Sequence, residues 1–559
     1  MSKKFQIIIP MSGFGERFRR AGYKVPKPLI EVDGKPIIAH VIEMFPNEED
    51  FIFICNNDHL LDEEYNMEQI IRKYCPTAQI IGIDSHKLGP VYAVSKISDK
   101  ISKDRPVVVN YCDFSCYWNW GDFKSFVNTT ESEGCIPAYK GFHPHSLGTT
   151  NYAYMLENDG WVEDIQEKKP YTDDRMNEFA SSGTYYFKSG RLMIDAFNSI
   201  MEKKLSINSE FYVSLAYKFL FMKSLKVSLF PLQHFMQWGT PEDLQEYQRW
   251  SNIFKKYIET QDVRSLNDGS TVIPMAGLGS RFKSEGYELT KPLIPISGKP
   301  MVIQAVNDLP KTSNYIFAVR KDMKGFNQIS NTILNTYRSS YIVEINKLTD
   351  GQACTTEIAI NKLLNVKSTN KEPITISACD NGVLFDSNKY ASLIDDENVD
   401  IAVWGVRGHS NAIRNPEMYG WIESDADNII KKISVKKPLK SPDKDPIIIG
   451  TFTFKKIEDF FSSLEKLYSR EGKINGEYYL DSVINDAIEQ GLKCKLFEVD
   501  YYISWGTPNE LKTFEYWQSC FHKWKSHPYS LYDDNRVTFD DALSLENKYR
   551  KFDTNYASK

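Results

Sequence analysis

The chain has 559 residues, of which 42% are hydrophobic and 25% charged, the composition of an ordinary soluble globular protein. Its formal net charge of −6 argues against general nucleic-acid binding, which needs a basic patch or a high pI. No apolar run reaches the roughly 18 residues of a membrane span, and MSKKFQIIIP leads straight into a strand and a glycine loop. A cytoplasmic location without membrane partners is therefore expected.

Phe5-Gln6-Ile7-Ile8-Ile9 is a short apolar run that suits a strand buried on both faces. Gly13 and Gly15 follow, where the backbone can turn tightly and its amides converge on an anion with no Cβ in the way. Arg17 comes two residues later, and Lys27 sits between prolines that hold its backbone extended. Convergent amides with a fork-shaped and a point cation suit a polyphosphate. Lys35 to Phe45 has helical spacing, Phe51 to Cys55 reads as a second strand, Met67 to Tyr74 as a helix and Gln79 to Ile83 as a third strand. This alternation predicts an α/β fold with a parallel, doubly wound sheet, in which ligands sit at the carboxyl ends of the strands. His86 to Val91 opens a further helix. Val107 to Cys112 is an apolar strand with Asp113 at its tip, a natural place for a magnesium-holding carboxylate; the alternative is a helix or turn cap. Nine scattered cysteines read as reduced thiols, and neither they nor the nine histidines show the spacing of a metal site.

The stretch Pro10 to Ile42 returns as Pro274 to Val306, with 15 of 33 positions identical. What is shared is Gly-x-Gly-x-Arg-Phe, Gly-Tyr, Lys-Pro-Leu-Ile and Gly-Lys-Pro, where a duplicated core would have kept apolar positions instead. Further on, Leu348 to Ala353 pairs with His86 to Val91, Asp380 with Asp113, Lys436-Lys437-Pro438 with Lys168-Lys169-Pro170, and Glu477-Tyr478-Tyr479 with Glu210-Phe211-Tyr212. Trp505-Gly506-Thr507-Pro508 repeats Trp238-Gly239-Thr240-Pro241, a good helix start that is assigned to architecture first. The expected organisation is a first domain at 1–256, a linker at 257–270, a second domain at 271–520 and a C-terminal polar extension at 521–559.

Gly-x-Gly-x-Arg followed by Lys-Pro-Leu resembles the signature of the sugar-phosphate nucleotidyltransferases, the nucleotide-sugar pyrophosphorylases, here in two tandem copies. The resemblance implies two Rossmann-like domains, each a mostly parallel sheet flanked by helices. Each would couple a nucleoside triphosphate to a sugar or polyol phosphate with Mg2+ and release pyrophosphate, for cell-surface or capsular polysaccharide precursors. It implies nucleotide contacts from Met11, Gly13, Gly15 and Gly89, with Arg17 on the leaving pyrophosphate, Lys27 at the α-phosphate and Asp113 on magnesium. Lys168, with Lys169 as the alternative, would reach the sugar phosphate, and Glu167 and Glu210 the sugar hydroxyls. In the second half the same roles fall to Met275, Gly277, Gly279, Gly351, Arg281, Lys291, Asp380, Lys436 and Glu477, with Gln352 as the base-reading residue. Related enzymes often work as dimers, which two halves of one chain could imitate, and whole chains could associate further.

The chemistry matches this residue set. A phosphate monoester is mostly dianionic near neutral pH because its second pKa is about 6, so attack on an α-phosphorus needs no catalytic base. The task is to bring two polyanions together and hold the charge of the leaving group, which cations, amides and a metal can do. Three departures stand out. Gln237 and Ser504 occupy the place of a second metal-binding aspartate, Pro90 stands where the second half has Gln352, and Val435 stands opposite Glu167. Competing readings are one active half with a regulatory pseudo-enzyme half, a nucleotide-sugar-dependent glycosyltransferase, and a non-catalytic scaffold. The glycosyltransferase predicts an Asp-x-Asp pair, which neither Cys112-Asp113-Phe114-Ser115 nor Cys379-Asp380-Asn381-Gly382 supplies.

Overall fold

The structure, a computed structural model, describes residues 4–148, 150–259, 265–365 and 371–549. It divides into two compact units: Met1–Phe254 with Tyr516–Ser530 and Glu546–Lys559, and Lys255–Glu515 with Leu531–Leu545. Among the described residues no helix is long and apolar enough to cross a membrane.

In the first unit the strand Gln6–Met11 is buried along its whole length, as the apolar run after Gln6 requires. It pairs in parallel with Phe51–Asn56 on one side, which in turn carries Gln79–Ile83, and with Val107–Asn110 on the other. The order of strands thus reverses between Gln6–Met11 and Val107–Asn110, and a crevice opens at the carboxyl ends of two such strands. Beyond Val107–Asn110 the sheet continues through Thr184–Phe187 and then Gly134–Tyr139, both pairings antiparallel, so a parallel block is extended by an antiparallel one. Isoleucine and valine side chains from both blocks share one core with the helices Pro90–Ser95, Gly190–Glu202 and Val213–Met222.

The second unit repeats this plan. Ser265–Met275 pairs in parallel with Lys311–Arg320 and with Ile374–Ile376, so the order reverses at the same point. The second domain, expected to begin at 271, has its first strand starting already at Ser265, because the ladder with Lys311 and Thr312 continues past a register shift between Leu266 and Ser270. Of the linker expected at 257–270, residues 260–264 lie outside the described residues; 257–258 end the helix Pro241–Ile258, Glu259 is a bend, and 265–270 belong to this strand. Residues 521–559 do not form a separate polar extension over their described part. Phe521, Tyr529 and Leu531 are fully buried, and Phe539–Tyr549 is a helix. Aromatic residues spaced singly among polar ones carry this packing, which an average polarity conceals.

Candidate functional site

At the reversal point of the first unit, the glycine loop leaves the strand and turns through Gly15, whose φ of 65° is left-handed, into the short helix Glu16–Arg20. Gly13 faces open space: a Cβ there would meet nothing within 4 Å. Pro26 sets the backbone for the turn Lys27–Leu29, and Lys27 Nζ donates to Asp113 Oδ2 at 2.9 Å. Burial disfavours the Lys27 ammonium, but the Asp113 carboxylate beside it outweighs this and holds its pKa above the usual lysine value. Arg17 is exposed and makes no side-chain hydrogen bond or ion pair among the described residues, yet it lies close enough to act electrostatically on Lys27. The resulting cleft of about 420 Å³ is lined by Met11, Gly13, Gly15, Lys27, Gly89, Asp113 and Glu210, among others, and not by Arg17, Glu167 or Lys168.

A tight contact brings the loop of Glu210 to this cleft. Gly89, at φ 84°, lets Phe211 N donate to Leu88 O and Val91 N donate to Phe211 O; a Cβ on Gly89 would stand 2.8 Å from Phe211 N. Lys168 also has a left-handed backbone, at φ 59°, a conformation that carries strain outside glycine and asparagine. Its Nζ donates to Tyr212 Oη at 2.5 Å, and Tyr212 Oη donates to Glu210 Oε2 at 2.7 Å. The neighbouring Glu167 accepts from Ser214 Oγ at 2.5 Å, and burial raises its pKa. Lys169 is exposed.

The second unit builds the same frame. Gly279 is left-handed at φ 60°, Gly277 again faces open space, and Lys291 donates to Asp380 Oδ2 and, at 3.2 Å, to Gly506 O. Gly351, at φ 127°, lets Ala353 N donate to Tyr478 O at 3.1 Å. The cleft is larger, about 780 Å³, and its lining includes Met275, Gly277, Gly279, Lys291, Gly351, Gln352, Asp380 and Glu477 but not Arg281 or Lys436. Arg281 is exposed, and Lys436, left-handed at φ 57°, is held by the carbonyl of Met418. Burial lowers the Lys436 pKa; Asp481 opposes that and Arg281 adds to it.

Several side chains at the sites were not singled out from sequence. Tyr212 bridges a lysine and a glutamate, a role its motif spacing alone does not announce. Thr240 and Thr507 cap the helices that follow by accepting from the amides of Asp243 and Glu510, whose carboxylates accept from the threonine hydroxyls in turn, at 2.8 and 2.9 Å. They also belong to the site's electrostatics. Burial raises the Asp243 pKa to about 6, with Asp113 among the lesser causes, and a Cβ on Gly506 would come 3.2 Å from Asp380 Oδ2 and 3.5 Å from Glu510 Oε2. The capping pattern was legible, but its nearness to the strand-end aspartate was not.

Residues 6–244 match the model of a family described as nucleotidyl transferase. Among curated relatives, the mannose-1-phosphate guanylyltransferase catalytic subunit beta of Dictyostelium discoideum is 25% identical over 215 residues, 37% of this chain and 55% of that protein. Mannose-1-phosphate guanyltransferase 2 of Candida glabrata is 25% identical over 285 residues, 48% of this chain and 70% of that one. The matches with the first relatives span about half of their lengths. A nucleoside-diphosphate-sugar pyrophosphorylase structure from Vibrio cholerae RC9 is 20% identical and covers 44% of this chain and 98% of its own, with a TM-score of 0.37.

Proposed function

We propose that this chain, a member of the sugar-phosphate nucleotidyltransferase family by its residues 6–244, joins a nucleoside triphosphate to a sugar or polyol phosphate at two sites, one in each unit. The observation that carries this reading is the lysine–aspartate pair beside an open glycine loop at the reversal point of the sheet, present in both units. Such a pair sets a cation where the α-phosphate of a loop-bound triphosphate would lie.

In the proposed reaction an oxygen of the acceptor phosphate forms a bond to the α-phosphorus of the nucleotide. The bond from that phosphorus to the β-phosphate bridging oxygen breaks, and pyrophosphate leaves with the electron pair. The amides around Gly13 and Gly15 would take the triphosphate, Lys27 would hold charge developing at the α-phosphate, and Arg17 would swing from solvent onto the departing pyrophosphate. Lys168, through its strained backbone and its bond to Tyr212, would present its ammonium to the acceptor phosphate, with Glu167 and Glu210 accepting from acceptor hydroxyls. Arg281, Lys291, Lys436 and Glu477 would do likewise in the second unit.

Asp113 and Asp380 suit a magnesium ion. In each, the lysine takes Oδ2 and no protein donor among the described residues takes the other oxygen, and magnesium is commonly held by one or two carboxylates plus substrate phosphates. When bound, the ion would supply Lewis-acid neutralisation of the phosphate oxygens. Among the described residues no group of three His, Cys, Asp or Glu is arranged for a metal, so those phosphates and water would complete its shell. The relatives' names point to mannose 1-phosphate and a guanosine nucleotide as the first pair to try.

The test is to incubate the full chain and Mg2+ with each of GTP, CTP, UTP and dTTP against mannose 1-phosphate, glucose 1-phosphate and ribitol 5-phosphate, and to separate the products by chromatography. A nucleotide-linked sugar or polyol together with pyrophosphate is the expected result. Hydrolysis of, or transfer from, an added nucleotide sugar without pyrophosphate formation would replace this reading by the glycosyltransferase one.

A further inference from the structure

The carboxylate beside the acceptor lysine comes from a different element in each unit. In the first unit Glu167, on the strand Trp161–Glu167, pairs in register with Ala153 and is bonded by Ser214. In the second, the register pair is Val435 with Gly420, so the acid is missing from the strand. An acid appears instead on a helix later in the chain. Asp481 is the second residue of Leu480–Glu489, as Ser214 is of Val213–Met222. The three exchanges fit one another: a Cβ on Gly420 would stand 2.2 Å from Asp481 Oδ2, so the glycine makes the room that the longer acid occupies.

Asp481, like Lys436, stands outside the lining of the cleft, and among the described residues it is not part of a structural ion pair. Beyond its own amide, it makes no hydrogen bond or ion pair among the described residues. Lys436 lies within its electrostatic reach, yet the ammonium is held by Met418 O. An acid and a lysine therefore lie within electrostatic reach of each other without forming an ion pair, as Glu167 and Lys168 do in the first unit.

We propose that Asp481 is a specificity-determining residue of the second unit, accepting a hydrogen bond from a hydroxyl of a polyhydroxylated phosphate ester whose phosphate meets Lys436, and that the two units therefore take different acceptors. The inference rests on the reading of the second unit as a nucleotidyltransferase. Because the carboxylate approaches from the helix side in one unit and from the strand side in the other, the hydroxyl it selects differs in position.

The full chain carrying Arg17→Ala, which silences the first unit, is assayed with the acceptor phosphates above. Asp481→Asn is expected to raise KM for the preferred acceptor by about tenfold or more while KM for the nucleotide stays within about twofold, since the charge on the accepting oxygen is lost and an NH2 donor takes the place of the second oxygen. The triple change Gly420→Ala, Val435→Glu and Asp481→Ser is expected to move acceptor preference toward the acceptor whose turnover Arg17→Ala abolishes. A folded, active Asp481→Asn enzyme with unchanged acceptor KM overturns this inference alone. A wild-type chain that releases no pyrophosphate from any pair overturns the underlying reading and the inference with it.

Discussion

Lys27 and Asp113 meet at 2.9 Å, which ties the basic arm after the glycine loop to the end of the strand on the other side of the reversal point. Both side chains are about three-quarters removed from solvent. Lys27→Met therefore strands a carboxylate beside a cleft built for anions. The expected outcome is a loss of the first unit's turnover by about a hundredfold or more and a destabilisation of roughly 1–3 kcal/mol by chemical denaturation. Adding Asp113→Leu should recover stability and leave turnover low. Recovery of turnover by the double variant would mean that the pair is structural.

The glycines divide into two kinds. Gly13 and Gly277 have neither a left-handed backbone nor a neighbour within 4 Å of an added Cβ, so Gly13→Ala and Gly277→Ala should change stability by no more than about 0.5 kcal/mol. The same methyl would stand in the cleft, and nucleotide KM of the altered unit should rise about tenfold. Gly89→Ala and Gly351→Ala meet backbone atoms at 2.8 and 2.5 Å with positive φ, and should cost roughly 1–3 kcal/mol. Equal thermal shifts for the two kinds would contradict this division.

Asp308, after the helix Met301–Asn307, accepts from Val383 N at 3.2 Å, and burial pushes its pKa up to about 7 against the opposing charge of Arg536. The unfolded carboxyl titrates near 4, so between about pH 4 and 7 the folded chain holds the extra proton and stability falls as pH rises through that window. Asp308→Asn stays neutral across it. Relative to wild type, its Tm should be higher at pH 8 than at pH 4.5. An identical difference at both pH values would show that Asp308 does not hold the proton.

Much of the site was legible because the chain states it twice. The paired motifs marked Lys27 with Lys291 and Asp113 with Asp380, and the structure brings each lysine onto its aspartate. What a repeat cannot show is compensation between elements. Val435 stood out as a departure opposite Glu167, and the acid proposed to answer it lies on a helix whose counterpart carries a serine, so no aligned position kept the charge. Tyr212 and Tyr479 were visible as repeated residues but not as partners of Lys168 and Lys436, because a left-handed lysine backbone has no sequence signal of its own. The tail after Cys520 was misread because it has no second copy to compare.

The account rests most heavily on two separate catalytic sites in one chain. The most direct measurement is pyrophosphate release from the nucleotide and acceptor panel by wild type, Arg17→Ala and Arg281→Ala, all with Mg2+. Loss of one substrate pair in the first variant and of a different pair in the second is the predicted result. Loss of all activity in one variant and none in the other would contradict it and leave a single catalytic unit with a regulatory or structural companion.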